Sequence, residues 1–139
     1  MTALAFGPQL IGQTEKALNA LLLHILDGRL SEAEWVTLRL ALQLETEVSS
    51  GAHLAAEVAA RSSLSDARET VEALTTAGLL MAGRPTEAAR TLVAELQAQI
   101  VALTGTLWAG LPEDEVAAAS RVLVEVLERA RALGASLAA

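Results

Sequence analysis

The chain has 139 residues, a formal net charge of −7, 53% hydrophobic residues, 2% aromatic residues and no cysteine. This excludes disulfides and thiolate zinc sites and leaves Leu, Val, Ile and Ala to build the core. The acidic balance opposes polyanion binding except through a local basic patch. No apolar run approaches the roughly 18 residues of a spanning helix; Leu92 to Leu111 comes nearest and is interrupted by Glu95, Gln97 and Gln99. Met1 to Gly12 shows no basic stretch leading into an apolar one. No signal peptide is therefore expected, no membrane association, and a cytoplasmic location.

From Pro8 to Asp27, Ile11, Leu18, Leu22 and Ile25 recur at helical spacing, with Gly28 as the stop. Ser31 followed by Glu34 is a capping box, with Leu30 as its hydrophobic staple. In the helix that follows, Val36, Leu38, Leu40, Leu42 and Leu44 alternate in the manner of a strand. The residues between them are good helix formers and β-branching is scarce, so a helix is expected. Glu47 to Gly51 reads as a loop, and His53 to Ala60 as a short helix with Leu54 and Val58 inward. Arg61, Ser62 and Ser63 form a turn, and Ser63 or Ser65 caps a helix running to Ala77. Ala67, Val71 and Leu74 are its inner face and Gly78 closes it, after which Leu79 and Leu80 dock into the core.

Thr86 caps a long helix bearing Leu92, Leu96, Ile100, Leu103 and Leu107, which Leu111 and Pro112 break. Glu113, Asp114 and Glu115 begin the last helix, where the dipole favours them. The tail beyond Gly134 is expected to fray. The apolar stripes of the first, fifth and sixth helices are too wide for the short central helices to cover, which predicts an interface.

Catalysis is not expected. His24 and His53 fall on different helices, Tyr and Cys are absent, and no nucleophile elbow, phosphate loop or dinucleotide motif occurs. The acids lie scattered, with no metal-ligand spacing, so no metal and no cofactor is expected. His24 and Trp35 are candidates to line a small-molecule pocket between the first two helices. The segment from His53 to Leu80 has helix-turn-helix order.

Gln13 to Leu18 (QTEKAL), Ser31 to Leu38 (SEAEWVTL), Leu54 to Val58 (LAAEV), Ala77 to Leu80 (AGLL) and Leu111 to Val116 (LPEDEV) occur in one order along the chain. Together they resemble an actinobacterial-type member of the MarR family of winged helix-turn-helix transcriptional regulators, over nearly the full length. The resemblance implies an all-α, winged-helix-like six-helix subunit, 1–139, in an intertwined homodimer. Helices within 8–27 and 86–136 would form the shared interface, through Ile11, Leu18, Leu103, Leu107, Leu123 and Leu127. The helix-turn-helix lobe would be 31–85, binding double-stranded DNA through Arg61, Ser63, Ser65, Arg68 and Arg84. A small lipophilic or phenolic effector is a further expectation.

The sequence departs from the family pattern in three places, the first a turn before the recognition helix about two residues longer than the usual one. Gly78 to Thr86 leaves room for only a stub of a wing, and the recognition helix carries Asp66, Glu69 and Glu72 against Arg68. Two functions follow: a dimeric DNA-binding regulator, or a degenerate relative that acts through protein or small-molecule binding.

Overall fold

The computed structural model describes residues 3–62 and 64–138. Among these residues are six helices and one hairpin: α1 (Pro8–Leu26), α2 (Glu32–Gln43), α3 (Gly51–Arg61), α4 (Ala67–Thr76), β1 (Leu80–Met81), β2 (Arg84–Pro85), α5 (Glu87–Trp108) and α6 (Glu113–Ala138). The strands are antiparallel, with Leu80 opposite Pro85 and Met81 opposite Arg84. No single helix is long and apolar enough to cross a membrane. The chain divides into two compact units, 1–102 and 103–139.

In the first unit the core runs from Leu26 to Leu96 and centres on α2, α3 and α4. Leu38, Leu54, Val58, Leu74 and Leu96 are fully buried there. The expected caps explain much of the geometry. Ser31 Oγ accepts from the Glu34 N–H at 3.1 Å, while the Glu34 carboxylate accepts from the Ser31 N–H at 2.8 Å. The alternating leucines of α2 are helical, as their neighbours' propensities require. Thr86 Oγ1 accepts from the Ala89 N–H at 3.3 Å and donates to the Gly78 carbonyl at 2.8 Å, tying the start of α5 to the end of α4. At that end the Leu79 N–H reaches the Leu74 carbonyl at 2.9 Å and Gly78 takes a positive φ of 80°, closing α4 in a Schellman turn.

Four boundaries differ from the expectation. α1 ends through Asp27, itself left-handed at φ 44°, one residue before Gly28. α3 starts at Gly51 because Ser50 Oγ accepts from the His53 N–H at 3.0 Å; the glycine is inside the helix, not a loop residue. α4 starts after Asp66, which makes no side-chain capping bond, and Ser65 lies in the bend before it. α6 remains helical past Gly134 to Ala138, where fraying is expected from the sequence.

The hairpin turn is Ala82–Gly83, with φ of 53° and 79°. Two consecutive left-handed residues make the type I′ turn that suits a two-residue hairpin. Gly83 is buried against the backbone of Ser50: a Cβ there would overlap the Ser50 carbonyl and meet Val48 Cγ1 at 3.0 Å.

The second unit holds the end of α5 and all of α6. No residue of α6 is buried, and Leu123, Val126, Leu127 and Leu133 stand 45%, 38%, 47% and 61% exposed.

Candidate nucleic-acid interface

α3 and α4 enclose an open groove of about 600 Å³. Its α3 wall is made of small residues, Gly51, Ala52 and Ala55, and its α4 wall carries Arg68, Glu72, Thr75 and Thr76. Spacing creates this wall. Ala67, Val71 and Leu74 are buried, which turns Arg68, Glu69, Glu72 and Thr76 outward.

Arg68 makes no hydrogen bond or ion pair with any described residue. It is therefore a free donor one helical turn from the free carboxylate of Glu72. Ser65 is exposed just ahead of α4. Ser63 lies outside the described residues. Arg61 is exposed but engaged: its Nε donates to Glu57 at 3.0 Å along α3.

Sequence reasoning missed the anchoring of α3. Beyond the Ser50 cap, the Ser49 N–H donates to His53 Nδ1 at 3.2 Å, and His53 Nε2 lies 3.8 Å from Glu57. Serine followed three or four residues later by histidine was the available signal, and the glycine between them masked it.

Arg84, on β2, is exposed and close to Glu45. Glu45, in the turn after α2, forms an ion pair with Arg90 of α5. The Arg90 hydrogen bond is the main cause that holds the Glu45 carboxyl below its ordinary value; burial opposes it, and the charges of Arg90 and Arg84 add to the lowering. Arg90 is shifted upward by the same contact. A second cross-link joins Arg29 to Glu95 of α5 at 3.1 Å.

The other expected sites fall as follows. Trp35 is 2% exposed and belongs to the core, with the Arg39 guanidinium 5.9 Å from its ring centroid; its ring offers no free face to a ligand. His24 is exposed on α1. Ile11 and Leu18 are half-buried on α1, while Leu103 and Leu107 on α5 are 37% and 41% exposed. No group of three or more His, Asp or Glu among the described residues could hold a metal ion. No family model, no curated protein and no solved structure matches the chain.

Proposed function

We propose that the chain is one subunit of a homodimeric, MarR-type winged helix-turn-helix regulator that binds duplex DNA with α3 and α4. The observation that carries this reading is an order of elements: α2, α3 and α4 pack around one core, a short hairpin follows, and a long helix comes next. That order supports a lobe in which α4 enters the major groove. Ser65 and the N-terminal turn of α4 would meet phosphate, and Arg68 would reach base edges.

The dimer half of the proposal draws on α6, a 26-residue helix with no buried residue and a run of exposed leucines and valines. A second copy supplying the same face would cover it. The two-fold axis would then set half-sites about 10 base pairs apart or a multiple of that. With few free cations per lobe, binding should be modest and its salt dependence shallow.

A second reading is favoured by one observation: Glu69 and Glu72 are exposed on the outward face of α4, where phosphates would approach. It makes the dimer a relative that binds a protein with this face. Selection of bound sequences from a random duplex pool at low salt separates the two readings. Enrichment of a pseudo-palindrome supports the regulator; no enrichment at any salt concentration assigns the face to a protein.

A further inference from the structure

The hairpin and α4 divide the work of DNA recognition unevenly. Each strand is two residues long, so the hairpin extends about 7 Å at about 3.3 Å per residue. An arm that leaves a helix in the major groove must cross a groove roughly 12 Å wide to reach the neighbouring minor groove. The hairpin is also pinned. Gly83 lies against the Ser50 backbone with no room for a side chain, and Pro85 is buried. Arg84 sits in the field of Glu45, inside the cluster that Glu45 forms with Arg90. The tip therefore rests on the capping residue of α3.

On α4 the situation is the reverse. Arg68 and Glu72 both line the open groove, four residues apart, and neither makes an ion pair with any described residue. Four residues of helix rise about 6 Å, close to two base-pair steps of about 3.4 Å. Arginine donates in bidentate fashion to guanine, and a carboxylate accepts from the exocyclic amine of cytosine. Glu72 thus opposes phosphate but matches cytosine.

We infer that the hairpin is a clasp for α3 and not a groove-reading arm, so that base selection rests on Arg68 and Glu72, which read a guanine and a cytosine about two steps apart. This rests on the DNA-binding reading above and adds to it the residues that set specificity and the bases they select. Glu72, rather than merely weakening affinity, rejects the wrong base.

The test is selection from a random duplex pool at low salt by the full-length wild type, Glu72→Gln and Arg84→Ala. Both substituted positions are exposed, and melting curves confirm that each variant is folded before use. The wild type is expected to enrich guanine and cytosine at the stated spacing. Glutamine pairs with adenine, so Glu72→Gln should exchange the cytosine for adenine, with discrimination changing about ten-fold at that position alone. Arg84→Ala should return the wild-type motif, with any weakening uniform across sequences. The inference is overturned, and the regulator reading kept, if Glu72→Gln selects the wild-type motif or Arg84→Ala changes it. Failure of the wild type to bind any duplex overturns both.

Discussion

Gly83 is the residue at which the first unit tolerates least. It combines a φ of 79° with a Cβ position already occupied by the Ser50 carbonyl. Gly83→Ala should cost roughly 1–3 kcal/mol for the left-handed backbone alone, and more for the overlap. A urea titration followed by circular dichroism will show this as a lower midpoint. Thr37 presents the opposite case. It is fully buried in α2 and its hydroxyl has no hydrogen-bond partner among the described residues. An unpaired buried hydroxyl costs on the order of 1–3 kcal/mol, and valine has nearly the same shape. Thr37→Val should therefore raise stability by about 1 kcal/mol in the same titration; a loss of stability would mean that the hydroxyl is hydrated in solution.

At the scale of elements, the turn after α2 is tied to α5 by Glu45 and Arg90, and this tie is sensitive to acid. The folded-state value of Glu45 lies below its ordinary value of 4.5. Its contribution is present above that ordinary value and disappears as pH falls through the lower, folded-state one. Wild type should thus melt above Glu45→Gln at neutral pH, and the gap should close in acid below pH 4.5. A gap that persists unchanged at pH 2 would remove the ion pair as its cause.

Elements with strong local codes were legible in the sequence. Ser31 with Glu34, Thr86 and Gly78 each announce a boundary through a bond that one or two residues can specify, and the acidic start of α6 does so through the helix dipole. The helical state of α2 was legible once propensity was weighed against an alternating pattern. The starts of α3 and α4 were not. Gly51 reads as a breaker, yet Ser50 caps a helix that includes it; Ser65 reads as a cap, yet Asp66 holds that position without a capping bond. The Ser50 cap is local, but Gly51 also sits 3.5 Å from Val71 Cγ1 by the position of its missing Cβ, a contact between helices that spacing cannot reveal. Arg68 and Arg61 illustrate the same limit at the site. Both are arginines near a helix-turn-helix bend, but Glu57 engages only Arg61.

For the whole molecule the uneven distribution of the core matters most. Among the described residues, every fully buried large side chain lies between Leu26 and Leu96, while α6 contributes none. A self-association that covers Leu123 and Leu127 should give a dimer mass in sedimentation at micromolar concentration. Leu123→Glu would set a charge in that seam and should shift the species to monomer mass while the α2–α4 core keeps its melting transition. A wild-type monomer under the same conditions would remove the dimer from the proposed function. The same distribution also governs how the chain exchanges its amide hydrogens with solvent. Amides of α2, α3 and α4 open only when their shared core opens, and should exchange slowly at any protein concentration. If the proposed dimer forms through α6, its amides should exchange quickly in dilute solution and slow as concentration rises, because a second copy would then supply their protection.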